Sequence, residues 1–244
     1  MIELSEVLVT AWTPDPSGGP DTVTRLLGPV TARLSEPRIA IVGANGSGKS
    51  TLARLLNGLV LPSSGTVRVG GLDTRDHGPA VRRRVGFVFT DPDAQLVMPT
   101  PVEDVALSLR RDVPDARERD ARAREALARV GLADRADLPV HALSGGQRQL
   151  LALTSVLATG PDVLVCDEPT TLLDLRWRSV VDDLLARLPM QVVVVTHDLE
   201  LALRADRVLV VDDGVVVHDG EPAAAVTAYR DLMTGSSPRV GGQR

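Results

Sequence analysis

The chain has 244 residues, of which 43% are hydrophobic and 2% aromatic, so its core must be built mainly from aliphatic side chains. The formal net charge of −5 argues against a general nucleic-acid-binding protein, because affinity for a phosphate backbone depends on surplus Lys and Arg. A single cysteine excludes an intrachain disulfide, and no apolar run approaches the roughly 18 to 20 residues that cross a bilayer.

The first part of the chain predicts antiparallel strands followed by a strand and a helix. Residues 2–38 alternate over short stretches and are interrupted by a Pro- and Gly-rich segment at 14–20, which is typical of a hairpin with a long exposed loop. Residues 38–42 predict a short strand, and residues 50–59 predict a helix with leucines on one face. Further strands are predicted at 65–72 and 85–89, with a short helix at 79–83 between them.

A phosphate-binding loop is predicted where this strand meets this helix. Backbone N–H groups of a glycine-rich loop wrap the β-phosphate of a nucleotide, and the helix start adds favourable partial charge. Lys49 is expected to reach the β- and γ-phosphates, and the Ser50 hydroxyl to ligate Mg²⁺. The alternative, a flexible turn, is disfavoured by the placement between strand and helix. The predicted nucleotide-binding residues are Gly43, Asn45, Gly46, Ser47, Gly48, Lys49, Ser50 and Thr51.

The chain changes character at about 91–146, where Arg, Asp, Glu and Ala dominate and helical periodicity runs through 102–110 and 115–130. We interpret this stretch as an inserted helical subdomain. Its alternating charges could suggest contact with nucleic acid. Opposite charges spaced four residues apart in an acidic chain are more typical of a solvated helix, so no nucleic-acid partner is predicted.

Two carboxylates follow the aliphatic strand predicted at 163–167. Adjacent side chains of a strand point to opposite sides, so Asp167 and Glu168 should have different tasks. Asp167 is the candidate for the outer shell of Mg²⁺, and Glu168 for the base that polarises an attacking water. The alternative, a solvated turn before Pro169, is less attractive when a phosphate loop lies upstream.

A second aliphatic strand, at 192–196, follows a helix near 175–188 and ends at His197. Parallel strands deliver functional residues at their carboxyl ends, so His197 is predicted to sense or stabilise the γ-phosphate. The remainder predicts a short helix, a hairpin around 212–214 and a disordered tail at 235–244. We therefore expect one domain over residues 1–234.

The segment Leu143-Ser144-Gly145-Gly146-Gln147 precedes another predicted helix, which gives a second anion-binding helix start. Together with the phosphate loop, the Asp-Glu strand end and the Thr-His-Asp segment, it resembles the ATP-binding subunit of ABC transporters. The resemblance implies an α/β fold, a P-loop NTPase cassette. Such a cassette has an N-terminal antiparallel β subdomain, a mostly parallel core sheet flanked by helices, and an inserted helical subdomain.

The resemblance also implies ATP hydrolysis by two subunits that pair head to tail, identical or homologous. Ser144, Gly145, Gly146 and Gln147 of one subunit then close on the γ-phosphate bound by the other, and Asp174 belongs to a loop that contacts the partner. An aromatic residue of the first hairpin stacks on adenine, and Trp12 is the best match; a core or loop tryptophan is the alternative.

The chain departs from the family at Thr90, where a glutamine normally contacts Mg²⁺ and the attacking water. Thr90 is the candidate metal contact there, and whether it replaces that glutamine stays open. Residues 90–96 and 99–106 resemble energy-coupling-factor importers of vitamins and transition-metal ions, with a biotin-type importer favoured. The implied partners are a transmembrane coupling protein and a substrate-binding membrane protein, with this subunit peripheral at the cytoplasmic face.

Two rival classes of protein fit the sequence less well. Soluble ABC ATPases of DNA repair or translation resemble the chain in their motifs, but they carry long coiled-coil insertions or two fused cassettes, for which 244 residues leave no room. A regulatory nucleotide-binding module without turnover is disfavoured because both Glu168 and His197 are present. The transported molecule is not predicted, since a cassette does not touch it.

Overall fold

The computed structural model describes residues 1–14 and 21–235. Most of the predicted loop at 14–20, and the predicted tail at 235–244 apart from its first residue, lie outside the described residues. The chain divides into two compact units, Met1–Asp76 with Val195–Arg244, and His77–Val194. No helix among the described residues is long and apolar enough to cross a membrane.

The helices and strands alternate along most of the chain. In chain order they are β1 (Ile2–Thr13), β2 (Thr22–Leu34), β3 (Arg38–Val42), α1 (Lys49–Leu56), β4 (Ser64–Val69), β5 (Leu72–Asp73), α2 (Gly78–Arg84), β6 (Val85–Val88), α3 (Pro101–Leu109), α4 (Ala116–Arg129), α5 (Gly145–Leu157), β7 (Val163–Asp167), α6 (Leu175–Arg187), β8 (Gln191–Val195), α7 (Leu199–Leu203), β9 (Arg207–Asp212), β10 (Val215–Gly220) and α8 (Pro222–Gly235).

Three features differ from the predicted elements by more than a residue at either end. Helix α1 ends at Leu56, three residues before the predicted end, because the chain turns at Gly58 with a positive φ of 70°. The strand predicted at 65–72 is divided into β4 and β5 by Gly70 and Gly71, which both adopt the left-handed conformation that favours glycine. Helix α8 was not predicted. The bounds of β3 and β7 agree with the prediction.

The first unit contains an antiparallel sheet in the order β2-β1-β4-β5, which bears out the predicted hairpin. Strand β1 pairs with β2 and with β4, and Ile2 lies opposite both Leu34 and Val69. In the same unit β3 pairs in parallel with β9, and β9 forms an antiparallel hairpin with β10. Helices α7 and α8 cover β3 and β9 with small aliphatic side chains, so the carboxyl end of β3 is held in place.

The second unit contains β6 and β7 paired in parallel, with β8 next to β7. All five residues of β7 are buried, as expected of a strand that is covered on both faces. Helices α3, α4 and α5 share an aliphatic core that includes Val105, Leu127 and Leu151. This core extends into α5, beyond the predicted subdomain boundary at 146; the domain bounds 1–234 and 91–146 stay predictions.

Candidate functional site

The predicted phosphate loop leaves the end of β3 and turns sharply into α1. A Cβ atom at Gly43 would overlap the carbonyl oxygen of Val211, and one at Gly48 would lie 2.8 Å from the carbonyl oxygen of Leu26. Gly48 also has a φ of 103°. Glycine is therefore required at both positions, and it allows the sharp turn from β3 into α1 that a phosphate-binding loop needs.

A cavity of about 380 Å³ is bounded by this loop and by residues of β2 and of the β9–β10 turn. The ammonium group of Lys49, a residue only 6% exposed, donates to the carbonyl oxygen of Ala44 at 2.7 Å. The hydroxyl oxygen of Ser47 is buried without a hydrogen-bond partner. An ammonium, an unpartnered hydroxyl and backbone N–H groups together suit the phosphates of a nucleotide. The lining residues are Thr24, Arg25, Leu26, Gly46, Ser47, Gly48, Lys49, Ser50, Thr51, Asp213 and Gly214.

The turn between β9 and β10 supports the loop. The N–H of Gly214 donates to the carbonyl oxygen of Ser47 at 2.9 Å, and the carbonyl oxygen of Gly214 accepts from Gly28 at 2.6 Å. The guanidinium of Arg25 donates to the carbonyl oxygen of Asp213 at 3.2 Å. The sequence predicted a hairpin at this turn but not its place beside the loop. The only local signal was the Asp-Asp-Gly turn itself.

Trp12 lies near the end of β1, where it pairs with Val23 of β2. It is 72% exposed, so it is not a core tryptophan. It does not line the cavity at the phosphate loop. The adenine-stacking role therefore stays a prediction.

His197 is exposed in the turn between β8 and α7. The N–H of Thr196 donates to the carbonyl oxygen of Ile41 at 3.0 Å, two residues before the phosphate loop begins. The hydroxyl oxygen of Thr196 accepts from the N–H of Asp198 at 2.9 Å, and the Asp198 carboxylate caps α7. These bonds fix the backbone on both sides of His197 at the end of β3 from which the loop starts.

The two predicted carboxylates of the second unit differ in environment. Asp167 is 2% exposed at the end of β7, whereas Glu168 is half-buried and has a φ of 54°, a left-handed conformation that costs a non-glycine residue about 1–3 kcal/mol. The Thr171 hydroxyl donates to Glu168 Oε2 at 2.8 Å. Strain of this kind concentrates at functional sites.

Burial, and then the charge of Asp167, raise the pKa of the neighbouring Cys166 thiol, which is therefore unreactive.

Thr90 contacts the same strand end. Its hydroxyl donates to the carbonyl oxygen of Asp167 at 2.8 Å. The amide of Gln95 lies elsewhere: it donates to the carbonyl oxygen of Phe87 at 3.3 Å and accepts from the N–H of Phe89 at 3.2 Å. Gln95 therefore holds the end of β6, and Thr90 is the side chain that contacts the backbone at the end of β7.

The predicted signature segment forms the N-terminus of α5. Ser144 and Gln147 form a capping box, in which the Ser144 hydroxyl accepts from the N–H of Gln147 at 3.3 Å and the Gln147 amide oxygen accepts from the N–H of Ser144 at 2.9 Å. Ser144 and Gly145 are exposed and Gly146 is buried. Asp174 is exposed and caps α6 by accepting from the N–H of Trp177 at 2.9 Å.

No cluster of three or more His, Cys, Asp or Glu that could hold a metal ion occurs in the described part of the chain. A Mg²⁺ ion typically takes only one or two protein oxygens and completes its shell with phosphate oxygens and water. The hydroxyl and carboxylate candidates, Ser50, Thr90 and Asp167, have suitable chemistry for such an ion.

Comparison with known proteins agrees with this chemistry. The family model described as ABC transporter matches residues 33–171. The biotin transport ATP-binding protein BioM of Rhizobium etli is 45% identical over 206 residues, which cover 84% of this chain and 92% of that protein. The energy-coupling factor transporter ATP-binding protein EcfA1 of Bacillus licheniformis is 42% identical over 200 residues, which cover 80% of this chain and 71% of that protein.

Two solved structures are also similar, each at 29% identity. The ATP-binding cassette MJ0796, a dimer in a post-hydrolysis state bound to ADP and Pi, has a TM-score of 0.78, with 91% of this chain and 99% of that chain covered. The protein cbiO1 of Clostridium perfringens, part of the ABC transporter complex cbiONQ, has a TM-score of 0.77, with coverages of 98% and 95%.

Proposed function

This chain belongs to the ABC transporter family, and we propose that it is the ATP-hydrolysing subunit that powers micronutrient import through an energy-coupling-factor type transporter. The predicted cassette fold, with its antiparallel and mixed sheets, is confirmed by the solved cassettes that it resembles. The observation that carries the proposal is the cavity at the phosphate loop, which both Lys49 and Ser47 line and beside which the buried Ser47 hydroxyl has no hydrogen-bond partner. The likeness to BioM and EcfA1 gives the transporter class.

The proposed roles in hydrolysis follow the chemistry of each residue. The loop N–H groups and Lys49 bind the phosphates of ATP. Ser50 would ligate Mg²⁺, Asp167 would lie in the outer shell of the ion, and Thr90 would offer a hydroxyl oxygen as a further contact. The ion supplies positive charge that offsets the charge of the β- and γ-phosphates. Glu168 takes a proton from the attacking water as the water oxygen bonds to the γ-phosphorus. The bond between the γ-phosphorus and the oxygen that bridges it to the β-phosphate breaks, which leaves ADP and inorganic phosphate.

His197 is proposed to donate a hydrogen bond to the γ-phosphate, and Trp12 to stack on the adenine ring. The exposed position of Trp12 on β1 leaves its ring accessible to a base. Support for His197 comes from the hydrogen bond that fixes Thr196 to β3 just before the loop.

A second ATP-binding subunit and membrane components complete the assembly. Two of the similar structures support such an assembly: one is a dimeric cassette, and the other is part of the ABC transporter complex cbiONQ. We propose that Ser144, Gly145, Gly146 and Gln147 meet the γ-phosphate bound by the second subunit, and that Asp174 lies in the subunit contact. We propose that the membrane components are a transmembrane coupling protein and a substrate-binding protein, which hold this subunit at the cytoplasmic face of the membrane.

The proposal is tested by transport. The chain is co-expressed with the membrane proteins that co-purify with it in mild detergent, and the complex is placed in vesicles with ATP. ATP-dependent uptake of labelled biotin is expected, with uptake of Co²⁺ or Ni²⁺ measured in parallel to identify the micronutrient class. A complex carrying Glu168→Gln is the control and should not transport. Uptake that is independent of ATP, or undiminished by this substitution, would contradict the proposed function.

A further inference from the structure

Gly146, the second glycine of the signature segment, packs against the indole ring of Trp177. A Cβ atom at Gly146 would overlap the Cγ and Cδ2 atoms of Trp177 and lie 2.5 Å from its Cδ1 atom. A Cβ atom at the preceding Gly145 would meet nothing within 4 Å. Gly146 has no positive φ, so glycine is required here for space and not for backbone conformation.

Trp177 is held from two further directions. Its backbone N–H donates to the Asp174 carboxylate at 2.9 Å, in the first turn of α6. Its side chain packs on the aliphatic core that α3, α4 and α5 share, which includes Leu143 of the signature segment and Leu150 of α5. The indole therefore contacts the start of α5 and the core beneath it, and the residue that carries it is anchored in the first turn of α6.

We propose that Trp177 is a positioning residue for the signature segment. Its ring sets the spacing between the N-termini of α5 and α6, so that Ser144 and Asp174 present themselves to the second subunit as one preorganised surface. This inference rests on the proposed function, in which both residues face the partner. A packed aromatic ring transmits small displacements because protein interiors are close-packed and do not deform smoothly.

The contact predicts compensation between two substitutions. Gly146→Ala places a methyl group where the ring lies, and Trp177→Ala removes the ring. In the complete transporter complex each single change should lower kcat for ATP about tenfold or more, because a misplacement near 1 Å is enough to lose such a factor. The double variant should recover about threefold or more of kcat over Gly146→Ala alone, since the methyl then occupies vacated space.

A positioning role is separated from a merely structural one by three further measurements. ATP affinity of the isolated subunit should stay unchanged in Trp177→Ala, because the phosphate-loop cavity is lined by other residues. Trp177→Phe, which keeps a flat ring, should restore most of kcat. Thermal unfolding is followed for all variants, with Gly145→Ala as a stability control that meets open space.

The proposal is overturned if Trp177→Ala keeps wild-type kcat, if the double variant shows only the product of the single effects, or if the loss of kcat disappears at a temperature where each variant is fully folded. Its failure is distinguishable from failure of the proposed function. Wild-type complex that hydrolyses ATP and transports, with normal turnover in Trp177→Ala, rejects only the positioning role. Wild-type complex without ATP-dependent transport rejects the function itself.

Discussion

Replacing Glu168 with Gln should stop hydrolysis and leave both the fold and nucleotide binding intact. The amide has the volume of the carboxylate, and its oxygen can still accept the hydrogen bond that the Thr171 hydroxyl gives to Glu168 Oε2 at 2.8 Å. The backbone conformation at φ 54° is unaffected by the exchange. We therefore expect the free energy of unfolding to change by less than about 0.5 kcal/mol. Loss of a general base should lower kcat by about 10² to 10⁴, roughly 2.7–5.4 kcal/mol in activation free energy.

The assay is steady-state phosphate release by the transporter complex, with ATP affinity of the isolated subunit measured by calorimetry. Glu125→Gln is a matched control, because Glu125 is exposed and forms an ion pair with Arg129 on the solvated surface of α4. Glu168→Gly removes the carboxylate together with the left-handed strain, so it should be equally inactive but at least as stable as the wild type. Hydrolysis within tenfold of wild type in Glu168→Gln, or loss of ATP affinity, would refute the assignment.

Three other substitutions test separate parts of the protein. Lys49→Ala should weaken ATP binding about 10- to 100-fold, since one charge-assisted contact with the phosphates is lost; unchanged affinity in calorimetry would contradict its role. Arg25→Met should weaken ATP and ADP binding by about three- to tenfold and reduce the salt dependence of both, because Arg25 lines the phosphate-loop cavity. Arg83→Met, at an exposed position of α2, is the control, and an equal effect in both variants would argue against a nucleotide contact. Asp104→Ala should lower the free energy of unfolding by about 3 kcal/mol, because a carboxylate that is 4% exposed accepts two backbone N–H groups and a serine hydroxyl; a melting temperature within 2 °C of wild type, where roughly 6 °C or more is expected, would refute this estimate.

The sequence alone was enough to predict the motifs whose residues are neighbours along the chain. The phosphate loop, the Asp167-Glu168 pair and the signature segment each consist of neighbouring residues, so their types and order alone were enough to predict what they bind. The short strands β3 and β7 were predicted with their observed bounds because an aliphatic run followed by glycine or by carboxylates has a local signal. Helix α8 was not predicted from the sequence; in the structure it packs on β9 through Ala225 and Val226.

Only the tertiary structure decided which distant residues complete each site. Arg25 joins the phosphate-loop cavity through a turn 188 residues away, because parallel pairing of β3 with β9 brings that turn to β2. Gln95 turns back onto β6 and leaves Thr90 beside Asp167. Trp177 reaches Gly146 because α5 and α6 pack on one core. Strand pairing and helix packing join residues that are far apart along the chain, and local periodicity contains no information on those partners.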